Sequence, residues 1–221
     1  MSDDSFFREV NEEIRQEKAR ALWERYGALI IGLAVAIVLG TAAFVVYEYW
    51  TGSQASRSGD DFAQALALAN EGKNDEALAA LKALEADGYG AYPVLARMRA
   101  GTVMVEKGDF TGAVAAFDAI ANDGSIPMSI RDMARLRSAF VLVDNGTYAD
   151  VSQRVEQLSA DTNPLRHSAR EALGLSAWKE SRNQDALKLF EQISGDDAAP
   201  RDVRERAALM IELIHGSGTA S

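Results

Sequence analysis

The sequence contains no cysteine. Disulfides, thiolate metal sites and a cysteine nucleophile are therefore excluded; an oxidising compartment is compatible with this but not required by it. Histidine is almost as scarce, with His167 and His215 the only two. Glu171 follows His167 by four residues and Glu212 precedes His215 by three, yet two ligands fall short of the three or four that zinc takes from a protein. Both histidines read as surface groups, and no metal or cofactor is expected. The phosphate-binding G-x-x-x-x-G-K-[ST] and G-x-G-x-x-G loops, the zinc motif H-E-x-x-H and the nucleophile elbow G-x-S-x-G are all missing. Asp60–Asp61, Asp196–Asp197 and Glu12–Glu13 are adjacent carboxylates, and neighbours on a helix do not converge on one reacting group. No catalytic residue is assigned, and a non-enzymatic protein is expected. Positive charge is also short. The net charge is −10, and the portion after residue 50 holds 18 basic against 25 acidic residues. Nucleic acid is a poor partner for such a surface, because phosphate binding needs basic clusters.

What is present begins with one long apolar run. Residues 27–47, GALIIGLAVAIVLGTAAFVVY, contain no charge and no proline. As a helix this run spans about 30 Å, the thickness of a bilayer's hydrocarbon core. Tyr26, Tyr47, Tyr49 and Trp50 stand at its ends, where amphipathic rings favour the headgroup level. A buried core helix is usually shorter and carries a polar face. A cleaved signal peptide has a shorter apolar run and a prompt small-residue cleavage site. The expectation is an uncleaved, single-pass anchor at residues 26–50. Arg8, Arg15, Lys18, Arg20 and Arg25 precede it, whereas only Arg57 follows through residue 70. The positive-inside rule then keeps the N-terminus in the cytoplasm and exports the larger C-terminal part. In a Gram-negative bacterium that means the inner membrane and the periplasm.

Within the span, Ala28, Gly32, Ala36 and Gly40 recur every four residues. Such a small-residue row suits a contact face for another membrane helix, although Gly and Ala are also common in membrane helices generally. Residues 1–25 form a charged cytoplasmic segment. From residue 5 it is rich in helix formers, with Ser5 placed to cap it and a narrow stripe through Phe7, Val10, Ile14 and Ala21. It reads either as an extension of the membrane helix or as a helix lying on a membrane or partner surface. Residues 51–59, TGSQASRSG, read as a flexible linker.

From residue 60 onward, alanine and leucine recur at helical spacing with no alternating β-branched run, so the domain is expected to be all-α. Gly101, Ala113, Phe117, Ile120 and Pro127 reappear as Gly174, Ala186, Phe190, Ile193 and Pro200, each 73 residues on. That offset is about twice the tetratricopeptide (TPR) period. Intervening and earlier units place the second-helix alignment points at Ala77, Ala113, Val151 and Ala186. Small residues at Ala65, Gly101, Ala139 and Gly174 let paired helices cross closely, and Phe117 and Phe190 fill the space between units. Helices are expected at 60–71, 74–87, 91–107, 110–122, 128–144, 148–160, 165–181, 184–194 and 201–215. The last covers the open end of a TPR-like solenoid spanning 60–215, and 216–221 is expected to be a disordered tail.

First helices line the concave face of such a stack. The groove candidates are Met98, Arg99, Thr102 and Val105, then Met133, Leu136, Arg137 and Phe140, then Glu171, Leu175 and Trp178. Arg99, Arg137, Phe140 and Trp178 stand out, because arginine and aromatic residues dominate binding hot spots.

The charged segment SFFREVNEEIRQEKARALWERYG, the W-E-R-Y-G entry at 23–27, the Y-E-Y-W exit at 47–50 and the degenerate repeats together resemble the YfgM-type ancillary subunits of the SecYEG translocon. The resemblance covers essentially the whole chain. It implies a TPR-like inner-membrane protein that binds SecYEG and a periplasmic chaperone of the PpiD type, with nascent secreted proteins as a further class of partner. It implies no catalytic residues. A TPR adaptor in another envelope complex, for cell-wall synthesis or division, has the same architecture and stays open.

Overall fold

The computed structural model describes residues 3–218, with side chains for Glu17, Lys18 and residues 20–218. The roles expected of Ser5, Phe7, Val10 and Ile14 lie outside the described side chains, and residues 219–221 of the tail lie outside the described residues. Among the described residues there are nine α-helices and no strand: α1 (Asp3–Asn70), α2 (Asn74–Asp87), α3 (Tyr92–Lys107), α4 (Phe110–Ala121), α5 (Met128–Asn145), α6 (Tyr148–Val155), α7 (Arg166–Lys179), α8 (Asn183–Ser194) and α9 (Arg201–Gly216). The chain divides into two units, 1–54 and 55–221.

In the first unit, α1 carries the apolar run. From Arg20 onward it is long and apolar enough to cross a membrane. Every side chain from 28 to 50 is exposed. Gly27 is buried because the Trp23 indole lies over it, 3.3 Å from where a Cβ would stand.

Two expectations are corrected along α1. Residues 51–59 are helical rather than an unstructured linker, and the first repeat helix is the end of α1 rather than a separate element. The small residues here make room for the turn before α3. Ser58 is buried and its Oγ accepts the Tyr89 N–H at 2.9 Å. A Cβ on Gly59 would stand 2.9 Å from the Tyr92 hydroxyl. Ser58 and Gly59 are contact residues whose small size lets Tyr89 and Tyr92 approach.

The second unit is a stack of helix pairs in which each helix packs on the next, and α5, α7 and α9 also contact one another in turn along the first-helix layer. Ala65 and Ala69 of α1 join Ala77, Leu81 and Leu84 of α2 and Ala96 and Val103 of α3 in one core cluster. The 73-residue repeat has a direct steric meaning. A Cβ on Gly101 would lie 2.7 Å from the Phe117 ring, and one on Gly174 would lie 2.8 Å from the Phe190 ring. Ala113, Ala186, Ile120 and Ile193 are all fully buried. Pro127 and Pro200 start α5 and α9 with matching backbone angles, φ −53° and ψ 141° against φ −54° and ψ 141°. Proline suits a helix start because its nitrogen has no hydrogen to leave unpaired.

Turns repeat as well. Asp123 Oδ1 accepts the Ser125 N–H at 3.0 Å, and Asp196 Oδ1 accepts the Ala198 N–H at 2.9 Å. Bonds from Ser125 and from Arg97 hold the Asp123 carboxyl at a pKa of about 2. The helix expected over 148–160 is shorter. It gives way at Glu156 to a 3-10 turn through Ser159, whose hydroxyl donates to the Glu156 carbonyl at 2.6 Å, a local side-chain bond that competes with the helical ladder.

Candidate partner-binding face

The first helices differ in exposure: α5 buries one side in the stack and exposes another, α3 exposes only Leu95 and its last two residues, and α7 exposes only Trp178 and Lys179 at its end. On α5, Ala134, Ser138, Ala139 and Leu142 face inward. Met133, Arg137, Phe140 and Asp144 are exposed along one line, at the i, i+4, i+7, i+11 spacing of one helix face. Arg137 Nη1 donates to Thr102 Oγ1 on α3 at 3.0 Å, and that hydroxyl in turn donates to the Met98 carbonyl at 3.2 Å. Arg137 and Thr102 therefore do come together, across two repeats.

The other groove candidates have varied surroundings. Arg99 is partly buried and folds along its own helix to Glu106 at 3.3 Å. Trp178 is 39% exposed near the end of α7. Among the described residues, no ring contact joins it to Phe140. Met98 packs against the Ile120–Ile126 cluster and Leu175 against two core clusters; Val105 is half-buried. Leu136 is a core residue rather than a groove residue, 6% exposed among Val151, Val155 and Leu173. Glu171 is also buried. Its two carboxylate oxygens accept from Arg206 Nε and Nη2 of α9 at 2.6 and 3.0 Å, a two-point geometry that fixes both partners. Leu95, 42% exposed on α3, joins the exposed apolar side chains of these helices; its place four residues before Arg99 was the signal for it.

His167 is corrected outright. It is 5% exposed and sits in α7, which neighbouring helices enclose, with Nε2 3.4 Å from Asp196 Oδ2. Burial lowers its pKa below the usual histidine value, and the cations Arg166 and Arg170 act in the same direction against Asp196. His215, in contrast, is exposed.

The polar recess between α4, α5 and α6 has a volume of about 140 Å3 and is lined by Asp118, Arg135, Arg154 and three neighbours, below the range of about 300–1,000 Å3 typical of ligand pockets. Its arginines are already engaged, Arg154 with Asp118 and Arg135 with Asp132. Among the described residues no group of three or more potential metal ligands converges. On α1, Ala28, Gly32, Ala36 and Gly40 are exposed, and a Cβ on Gly32 or Gly40 would meet nothing within 4 Å.

Comparison with known proteins adds one finding. The model of the tetratricopeptide repeat-like domain matches residues 20–164, more than half of the chain. No curated protein and no solved structure matches. An all-helical stack of this kind is typical of non-enzymatic scaffolds and implies protein partners. With α7 and α8 repeating α3 and α4 beyond the matched residues, the chain belongs to the tetratricopeptide repeat-like family.

Proposed function

We propose that the protein is a membrane-anchored scaffold at the SecYEG translocon, linking the export of secreted proteins to periplasmic chaperones of the PpiD type by protein–protein binding. The observation that carries this reading is the order of parts. A helix of spanning length with basic residues on its N-terminal side precedes a repeat stack that exposes Met133, Arg137, Phe140 and Trp178. Anchoring raises the effective concentration of the stack near a membrane channel, so each contact can be weak. The positive-inside distribution supports a cytoplasmic N-terminus and a periplasmic C-terminal domain. The uncovered Ala28–Gly32–Ala36–Gly40 row is assigned as the side of the span that another membrane helix approaches.

Photo-crosslinkers at Gly32, Phe140 and Trp178, in membranes, test the assignment. Capture of SecYEG from Gly32 and of a periplasmic chaperone or nascent chain from Phe140 or Trp178 is expected. Cell-wall or division enzymes captured in their place would move the scaffold to another envelope complex. Protease protection that leaves residues 60–215 on the cytoplasmic side would remove the chaperone role. Leucine at Gly32 or Gly40 is expected to weaken translocon capture without changing insertion; unchanged capture in both would reduce the span to an anchor.

A further inference from the structure

Resting on the reading of the first-helix face as a partner site, we infer that this face takes a polypeptide segment with one Asp or Glu flanked by large apolar side chains, the carboxylate being held by Arg137. The domain around it is acidic, and its arginines are mostly paired within the protein. On the first helices, Arg97 meets Asp123, Arg99 meets Glu106, Arg135 meets Asp132, Arg166 meets Asp196 and Arg170 meets Asp161. Arg137 differs. Among the described residues its one hydrogen-bond partner is the Thr102 hydroxyl, and no carboxylate lies within 4 Å of it.

That single bond matters for geometry. It engages Nη1 and leaves the edge formed by Nε and Nη2 open, and this edge matches the two oxygens of a carboxylate in a side-on pair. Thr102 also steadies the guanidinium, so less side-chain freedom is lost when a ligand binds. The neighbours set the rest of the chemistry. Met133 precedes Arg137 by one helical turn and Phe140 follows by three residues, 38% and 37% exposed. A free anion would leave both uncovered, whereas a peptide with apolar side chains on each side of its acid covers them and dries the ion pair between them. Exposed ion pairs contribute little, while those shielded by apolar contacts contribute more.

The test uses the full chain in nanodiscs of zwitterionic lipid and fluorescence anisotropy. The probes are three labelled peptides of one sequence, with leucine and phenylalanine on both sides of a central glutamate, glutamine or lysine. The glutamate peptide is expected to bind about tenfold more tightly than the glutamine peptide, the lysine peptide most weakly. Arg137→Gln is expected to erase the preference. Arg137→Lys should keep only part of it, because an ammonium cannot form the two-point pair, and Arg137→Glu should favour the lysine peptide. Phe140→Ala should weaken all three by a similar factor. Equal binding of the three peptides, no binding of any, or a glutamate preference that survives Arg137→Gln overturns the inference. Acid-selective binding without translocon crosslinks would refute the proposed function alone. Translocon crosslinks without acid selectivity would refute this inference alone.

Discussion

The α3–α4 pair and the α7–α8 pair are the same device 73 residues apart, and their differences are more informative than their likeness. Both place a glycine under a phenylalanine ring, Gly101 under Phe117 and Gly174 under Phe190. Inside the first pair, Val94 and Met98 pack on the cluster of Ile120, Ala121, Ile126 and Ala134. The second pair has His167 and Glu171 at the equivalent positions, both buried. The apolar contact has been exchanged for a polar one that uses α9, through Arg206. At the helix turn, Gly108 has φ 83°, whereas its counterpart Ser181 has φ 62° and is the one non-glycine residue with positive φ among the described residues. At the start of the second helix, Asp109 caps α4 by accepting the Gly112 N–H. Its counterpart Arg182 has no capping oxygen; it reaches forward to Asp185 and lies 3.7 Å over the Tyr148 ring. The carboxylate has moved from the cap into the first turn, where it still faces the positive end of the helix. Backbone and steric rules are thus kept between copies, while polar solutions are exchanged.

The largest expected effect tests what is shared. Gly174→Val drives a side chain into the Phe190 ring and should lower stability by about 3 kcal/mol, a typical upper cost of overpacking. Urea unfolding of the full chain in detergent, followed by circular dichroism, measures it. Phe190→Leu should recover part of the loss in the double variant. Gly101→Val should behave the same way with Phe117, and a harmless Gly101→Val would show that the two copies are not packed alike.

Next comes the exchanged contact. Arg206→Ala leaves the buried Glu171 carboxylate without its two donors and should cost about 2 kcal/mol. Adding Glu171→Met, which restores the residue of the first copy, should return most of that in the same unfolding assay. If the double variant is as weak as Arg206→Ala, the lost contact was packing by the arginine stem instead of the ion pair.

Ser181→Gly should raise stability by about 1 kcal/mol, since glycine adopts positive φ without steric conflict. Thermal unfolding should report a higher midpoint, and Gly108→Ser should give the opposite shift.

The smallest effect at neutral pH belongs to His167. Its folded pKa is below its unfolded value, so the unfolded chain takes up a proton first as pH falls. The neutral histidine's contribution is complete above the unfolded pKa of about 6.5 and declines as pH drops through that value toward the folded one. His167→Val should flatten the decline between pH 7.5 and 5.5 in unfolding midpoints while changing little at pH 8. An unchanged slope would place the pH sensitivity elsewhere.

Much of the fold was written in glycine, alanine and turn residues. Gly101, Gly174, Phe117 and Phe190 encode helix crossing through volume alone, and volume is visible in residue type. His167 was missed because polarity was read without the repeat. Shifted by 73 residues it falls on Val94, which packs, and that register was sufficient to mark it as inward-facing. Leu136 was misread for a related reason, because a residue between core and groove is decided by the neighbouring helix, here the Val151–Val155 side of α6. Ser58 and Gly59 were misread as linker because small residues serve flexibility and close approach equally, and only Tyr89 and Tyr92 decide between them. At the candidate face, residue type alone proposes Arg137, whereas its bond to Thr102 depends on a distance between repeats that no local pattern carries.

Lys179, at the end of α7, donates to the carbonyls of Val143 and Asp144 at 3.0 and 2.6 Å, closing the end of α5. A helix terminus is therefore completed by a residue two helices later in the chain, beyond residue 164 where the family match stops. A fragment cut there would leave those carbonyls open and strip α7 from Leu136, Ala139 and Val143. The end of the family match is therefore not a folding boundary of this stack. Fragments meant to report on the repeats should run through α9.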